Sequence, residues 1–534
     1  MKQSNLLVCA AITCVLAIAS GARAQALWDL ANQNKSVLRI ATLFTAQDVR
    51  GHLSTDQGID DAIDWCKKTG VTHAFIESFR DGYTAEKPAL EHARDRFRAA
   101  GFDVSGCVTP TKVGKDSTGW THIACYTDEP TQKHVQEIFE YTASMFDEIM
   151  IDDFWFTDCQ CEECQKARGD KSWAQYHCDL MIKVSGERIL KPAKAVNPNV
   201  KIIIKYPQWY DQFHNRGYEV VQETADFDRI WVGTETRDYA DQRWGGTVQY
   251  EGYYLMRWLG VVGGAKCGGG WFDPFGTHEA TYVEQARQTV LADAKEMLLF
   301  CYGALLQGTG PANVEKLRTE VPGLFELAKL VRNQPLRGIA APKPPNSDAF
   351  EEQYIYDFVG MLGLPLVPTN EIRTDVKAAF LPVHALKDPQ LRDKLGTMCN
   401  AGTPVLVTSG LAQKLTPPVS DEKNLLVLKT EGKPNSLLDL TREQLQPIRD
   451  KLLAPLGIRF DAPNKVALYL IGDHCVVIEN FNDEPIPALL ELAKPIMVRR
   501  AIVLPTEGYV NSVATAGRME FTKITPRTLV VLTY

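Results

Sequence analysis

The chain has no surplus of positive charge. Its 534 residues carry 58 Lys and Arg against 66 Asp and Glu, a formal net charge of −8, so its bulk electrostatics offer nothing to nucleic acid. Several catalytic signatures are missing as well. The glycines of GGGW (268–271) do not fit the G-x-x-x-x-G-K-[ST] phosphate loop. No G-x-S-x-G elbow supports a nucleophilic serine, and the ten His include no H-E-x-x-H pair for a catalytic zinc. There are no internal repeats and no low-complexity segments. Beyond residue 24 no apolar run is long enough to cross a bilayer. What remains is an ordinary globular composition, 45% hydrophobic and 23% charged, on a chain long enough for two or three domains.

The first 24 residues read as a secretory signal. Lys2 supplies the positive end, 6–19 the apolar run, and Ala22-Arg23-Ala24 the small-x-small cleavage site. Cleavage after about Ala24 would release a periplasmic or secreted protein with no membrane span. Of 13 cysteines, 11 remain, an odd number without the regular spacing of a disulfide scaffold. They cluster instead in Cys159-Gln160-Cys161-Glu162-Glu163-Cys164. Three thiolates at that spacing suit one face of a tetrahedral zinc, with Cys125, Cys107 or Cys178 as the fourth ligand. A site closed by thiolates is structural, and here it would staple one loop. A local disulfide or free thiols are the alternatives. No organic cofactor is expected.

Residues 36–304 alternate apolar runs with amphipathic stretches. The runs lie at 37–44, 72–79, 103–109, 148–156, 201–207, 227–235, 264–273 and 297–303, with helix-like segments such as 58–69, 90–100, 131–146 and 174–196 between them. Eight such units over this length predict a (β/α)8 TIM barrel, with an open doubly wound sheet as the alternative. The Pro-rich 340–348 reads as a linker. A small α/β unit follows, and from about Pro455 alternating strands at 466–472, 474–481, 497–505 and 527–534 read as a β-sandwich. The expected domains are 1–24 (signal), 25–340 (barrel), 341–450 (α/β) and 451–534 (β).

Barrel sites form at the C-terminal strand ends. Those ends read Glu77, Asp152-Asp153, Lys205-Tyr206, Glu235 with Arg237, and Trp271 with Asp273. Glycoside cleavage needs two carboxyl groups whose pKa values are held apart. Asp153, in an aromatic-lined mouth with Trp155 and Trp271, is the expected general acid, with Asp152 beside it facing the barrel wall or a backbone donor. Glu235 or Asp273 is the nucleophile or base, unless it is committed to Arg237 or Arg243. Glu77, Lys205, Tyr206, Arg237 and Trp271 are the expected substrate contacts. Lys205 would orient a carboxylate or a sugar hydroxyl. Tyr206, Trp209, Tyr210, Tyr253, Trp258, Trp271 and Phe272 are candidate sugar platforms.

The order of these features resembles the glycoside hydrolase family 42 β-galactosidases. In that family an upstream Cys and a C-x-C-x-x-C run after strand 4 bind a structural zinc. Cys125, in ACYTDEPTQKHV, and Cys159, Cys161 and Cys164 occupy those places. The family's acid/base Glu sits in an Asn-Glu pair at the end of strand 4, where this chain has Asp152-Asp153. The resemblance implies a glutamine-amidotransferase-like trimerisation unit after the barrel, then a small C-terminal β domain. It departs at the Asp-Asp pair and at strand 7, which offers no clear Glu nucleophile. The implied protein is an exported, divergent relative that hydrolyses oligosaccharides derived from polysaccharide and assembles as a trimer or dimer. A carbohydrate-binding barrel without catalysis, or an oligomeric scaffold, is the alternative.

Overall fold

A computed structural model describes residues 25–238, 240, 247–415, 424–494, 497–515 and 517–534. The expected signal (1–24) and Arg243 lie outside the described residues. Among the described residues, eight parallel strands form a closed ring: β1 (Arg39–Phe44), β2 (His73–Arg80), β3 (Asp103–Val108), β4 (Glu148–Ile151), β5 (Lys201–Tyr206), β6 (Arg229–Gly233), β7 (Cys267–Phe272) and β8 (Glu296–Leu299). β1 pairs with both β2 and β8, which closes the barrel. The strands form because their apolar runs are buried on both faces, inward on the barrel core and outward on the helices. Ala41, Phe75, Cys107, Met150, Ile203, Trp231, Trp271 and Leu298 fill the interior. The glycines of β7 make room for one of these. A Cβ on Gly269 would stand 2.9 Å from the Trp231 ring and 2.7 Å from the Glu296 carbonyl oxygen.

The helices start where side chains can cap them. Thr55 accepts the Gly58 N–H ahead of Asp56–Thr69, and Asp128 accepts the Thr131 N–H ahead of Glu129–Ala143. The stretch 174–196 is helical but changes winding, passing from α (Trp173–Val184) through a π segment (Ser185–Leu190) to Lys191–Val196.

The Pro-rich stretch is not the linker its composition predicts. After a short strand β9 (Leu336–Arg337), residues 339–342 form β10, which lies inside a second parallel sheet. Its neighbours are β11 (Leu366–Thr369) and β12 (Ala379–Leu381), followed by β13 (Val405–Thr408) and β14 (Leu425–Leu428), in the order β11-β10-β12-β13-β14. The apolar Ile339-Ala340-Ala341 builds the strand, and Pro342 is its last residue. Counted along this unit the order is 2-1-3-4-5, that of an open doubly wound sheet.

The C-terminal region holds β15 (Ile458–Asp461), β16 (Val466–Ile471), β17 (Cys475–Asn480), β18 (Ile486–Leu492), β19 (Arg500–Leu504), β20 (Val510–Thr515), β21 (Arg518–Ile524) and β22 (Thr528–Thr533). Two antiparallel sheets result, β9-β16-β17-β22-β19 and β15-β18-β21-β20. The first sheet contains all four strands expected from the sequence. The second consists of four that the alternation did not reveal. Among the described residues, no helix is long and apolar enough to cross a membrane.

Candidate active site

Strand alternation decides which side chains reach the mouth of the barrel. Inward positions recur every second residue, so the interior residues Phe75, Cys107, Met150, Ile203, Trp231 and Trp271 are followed by Glu77, Thr109, Asp152, Lys205, Gly233 and Asp273. One more step from Gly233 gives Glu235. Asp153 breaks the pattern because β4 ends at Ile151 and the chain turns, with the Asp153 N–H donating back to Asp152 Oδ1 at 2.8 Å.

These groups converge on Lys205. Its Nζ lies 2.8 Å from Asp153 Oδ2, 3.2 Å from Glu235 Oε1 and 3.6 Å from Asp152 Oδ1. The ammonium also stands 4.3 Å above the Trp271 ring centroid, a cation–π contact that helps a buried cation. Because both carboxylates touch one ammonium, the sum of the two shorter contacts caps the distance between those Asp153 and Glu235 oxygens at 6.0 Å. Glu235 folds back into the barrel only because position 233 is glycine. A Cβ there would lie 2.7 Å from Glu235 Oε2 and 3.0 Å from the Gln208 amide nitrogen.

The adjoining acids titrate in opposite directions. Burial pushes the Asp153 carboxyl up to about 8, with the charges of Asp152 and Glu235 adding to burial and Lys205 opposing it. Burial acts the same way on Asp152, but Lys205, Arg80 and the Asp153 N–H outweigh it and hold that carboxyl below its ordinary range. Burial raises Glu77 despite its pairing with Arg80. Arg80 bridges the two, with Nε 2.8 Å from Glu77 Oε2 and Nη2 2.8 Å from Asp152 Oδ2, and Thr109 donates to both carboxylates. Glu77 also accepts the Ala46 N–H at 2.8 Å. A carboxyl that holds its proton to about pH 8 can protonate a leaving group at neutral pH, and a neighbouring ionised carboxylate can attack or activate water.

An open cavity of about 630 Å³ lies over this cluster, lined by Asp153, Glu235, Arg237, Gln208, Trp209, Arg216, Phe154, Phe156, Asp158, Gly119 and Trp120. Asp273 does not line it. Its carboxylate forms a two-pronged pair with Arg237 at 3.0 and 2.7 Å, which leaves it little freedom to act as a nucleophile. Glu77 and Asp152 lie below the cavity, held by Arg80. Tyr206 was expected to touch substrate, but the structure corrects this. One residue out of register with Lys205, it points outward into the helix layer, is fully buried, and its hydroxyl meets Thr224. Trp271 is buried beneath Lys205 and stacks on Phe300. Tyr210, Tyr253, Trp258 and Phe272 are core residues, and Trp155 donates from its indole to Ser185. Among the expected platforms only Trp209 lines the cavity. Trp120, 41% exposed and packed on Phe154 and Phe156, was missed because it lies in a long loop with no periodicity.

The cysteines form a compact cluster beside this wall. Ligand atoms of Cys125, Cys159, Cys161 and Cys164 all lie within 4.8 Å of one another. Cys125 Sγ is 3.8 Å from Cys161 Sγ and 3.5 Å from Cys164 Sγ, and the last two are 3.6 Å apart. Zinc–sulfur bonds of about 2.3 Å in a tetrahedron imply sulfur–sulfur edges of about 3.8 Å, and a disulfide needs about 2.05 Å. The cluster could hold a metal ion. Cys107 lies in the barrel interior, and the Cys178 thiol donates to the His214 carbonyl, so neither joins it. The cluster also ties down the Trp120 loop. The Thr118 hydroxyl accepts the Gln160 N–H at 2.7 Å and lies 3.8 Å from Cys159 Sγ, while Asp158 accepts the Trp120 N–H.

Comparison with known proteins bears on the family and the fold. An uncharacterised protein of Saccharolobus solfataricus is 26% identical over 444 residues, covering 75% of this chain and 70% of that protein. An α-L-fucosidase isoenzyme 2 from Paenibacillus thiaminolyticus superposes with a TM-score of 0.62 at 11% identity, covering 93% of this chain and 99% of the other, which shows a shared fold. An exo-β-1,4-mannosidase from Opitutaceae bacterium strain TAV5 gives 0.45 at 9% identity, covering 92% and 86%. Residues 25–351, well over half of the chain, match the family described as "Probable glycosyl hydrolase, catalytic domain". The chain belongs to that family and is a glycoside hydrolase, with an oligosaccharide as its class of substrate.

Proposed function

We propose that the protein is an exported enzyme that hydrolyses O-glycosidic bonds of oligosaccharides derived from polysaccharide, with Asp153 as acid/base and Glu235 as nucleophile. The observation that carries this reading is the single Lys205 ammonium touching both carboxylates at the floor of the cavity. Their nearest oxygens are at most 6.0 Å apart. So close an approach of two carboxylates favours the retaining arrangement, in which the two carboxyl groups stand roughly 5–5.5 Å apart.

The chemistry then runs in two steps. Asp153 gives its proton to the glycosidic oxygen as the anomeric C–O bond breaks, and the Glu235 carboxylate bonds to the anomeric carbon. Asp153, now ionised, takes a proton from water, whose oxygen displaces Glu235 with net retention. Lys205 holds both carboxylates in place and stabilises negative charge as it shifts between them. Asp152, fixed by Arg80, supports Lys205 from below.

Purified protein assayed on aryl glycosides and natural oligosaccharides tests this. Turnover with retained anomeric configuration, abolished in Asp153→Asn and Glu235→Gln, is the expected result. An inverted product would remove Glu235 from the nucleophile's role. The same reading assigns structural zinc to the four cysteines, tested by metal analysis of the purified protein. It places export on residues 1–24, tested by sequencing the mature N-terminus, and trimer or dimer assembly on 341–450, tested by mass in solution. It keeps the three units in the expected order, with the first boundary moved ahead of β10 from 340 and the second left at 450, and the likeness to family 42.

A further inference from the structure

Arg216 is a cavity residue that the proposed chemistry does not use. It ends a short 3-10 turn, His214–Arg216, and its main chain is pinned at both groups. Its carbonyl accepts the Thr157 N–H at 3.0 Å, just beyond the turn carrying Asp153, and its own N–H donates to the Phe213 carbonyl at 3.1 Å. The guanidinium carbon lies 5.1 Å from the Trp209 ring centroid and 5.6 Å from that of Phe156. Those two rings meet edge to face at 5.0 Å, so the cation rests on a rigid aromatic corner.

Among the described residues, no carboxylate pairs with it. The contrast is with the buried guanidinium groups nearer the barrel core, since Arg80, Arg237 and Arg287 are each held by carboxylates. The acids nearest at hand in the cavity are already engaged. Asp158 accepts from the Ser117 hydroxyl and the Trp120 N–H, while Asp153 and Glu235 share Lys205. A chain with eight more acids than bases thus leaves a half-buried guanidinium facing its candidate active-site cavity with no counter-ion among the described residues. A guanidinium fork supported on aromatic faces is pre-organised for planar or tetrahedral oxyanions.

We propose that the substrate is an anionic glycan, whose carboxylate or sulfate group is bound by Arg216 while the adjoining glycosidic bond lies over Asp153 and Glu235. This rests on the hydrolase reading above and names the substrate class for that site. The other cations at the cavity are already engaged, Arg237 by Asp273 and Lys205 by Asp153 and Glu235, so Arg216 is the one left for an anionic sugar among the described residues. With it, charge at one end of the ring fixes the orientation of the bond to be cleaved.

The test pairs each neutral oligosaccharide with a uronic-acid counterpart and a sulfated one, in wild type, Arg216→Ala and Arg216→Lys. The expected wild-type preference favours one anionic arm, and the arm that responds identifies carboxylate or sulfate. In Arg216→Ala the ratio of kcat/KM for anionic over neutral substrate should collapse by about 30-fold, the scale for losing one partly buried charge-assisted contact. Lysine, which keeps charge without the fork, should recover part of it. Thermal melts check that the variants fold. Turnover confined to neutral glycosides, or equal losses on both arms, would overturn the inference while leaving the hydrolase reading intact. If nothing turns over, calorimetry with the anionic oligosaccharides decides. Binding lost in Arg216→Ala supports the inference, and no binding to wild type overturns it.

Discussion

Lys205 and Lys343 invite comparison because the fold places them alike. Each is fully buried at the C-terminal end of a parallel strand, Lys205 in β5 and Lys343 just after β10. Each lies over a tryptophan, Trp271 at 4.3 Å and Trp258 at 4.7 Å. Their company differs. Lys205 faces three carboxylates, which outweigh burial and raise its pKa. Lys343 has Asp211 at 3.6 Å, and burial wins, lowering its pKa. Asp211 comes from the barrel loop beyond β5. It also meets His384 Nε2 at 2.8 Å and accepts the Tyr354 N–H at 2.8 Å. That loop therefore fills the crevice at the reversal point of the second sheet, where open α/β sheets usually bind ligands. One lysine holds carboxylates that line a cavity and the other seals a joint. A charged residue at a strand end becomes an active-site group only where space is left beside it.

The largest effect that would sharpen this contrast is expected from Lys205→Met, which keeps volume and removes charge. Activity should fall about a thousandfold, as when a pre-organised electrostatic contact is lost. Asp153, without its cation, should hold its proton to still higher pH, so the alkaline limb of the rate profile should move up. Near-normal kcat would break the comparison from the catalytic side.

Lys343→Met should behave in the opposite way. Asp211 keeps its bonds to His384 and the Tyr354 N–H, so the cost should appear in unfolding, about 3 kcal/mol by denaturant titration, the low end for breaking a buried pair. Turnover should change less than threefold. A variant of normal stability and lost activity would make Lys343 part of the site.

A third test needs no mutation. In the proposed mechanism the acid form of Asp153 is the active one, and burial pushes its carboxyl up to about 8. Below that pH the proton is present, and above it kcat/KM should fall tenfold per unit. A limb near pH 5 would mean that another group is the acid. The smallest effect concerns the outer wall. Trp120→Ala should raise KM about fivefold with kcat unchanged, the loss of one stacking contact of about 1 kcal/mol.

Much of the barrel was legible because doubly buried strands are short apolar runs. Eight were visible, and their count and length favoured the barrel over the open sheet, which the pairing of β1 with both β2 and β8 then excluded. The site was legible through parity. Glu77, Asp152, Lys205, Glu235 and Asp273 share the inward register, and the same count would have found Thr109 and excluded Tyr206. Parity says nothing about loops, so Trp120 and Arg216 stayed hidden, as did the pairing that separates Asp273 from Glu235. The strand at 339–342 was masked by the prolines beside it. β20 was missed because Val510–Thr515 is largely exposed and carries little apolar alternation.

The bare α-carbon at position 233 has a consequence for how such a barrel can diverge. Glu235 occupies the space that any side chain there would take, 2.7 Å from the nearest carboxylate oxygen. One added methyl group would displace the proposed nucleophile while leaving the aromatic wall, the guanidinium and the proposed acid beyond β4 untouched. The route from an enzyme to a lectin on this scaffold is therefore a single carbon long, and it runs through a residue that never touches sugar.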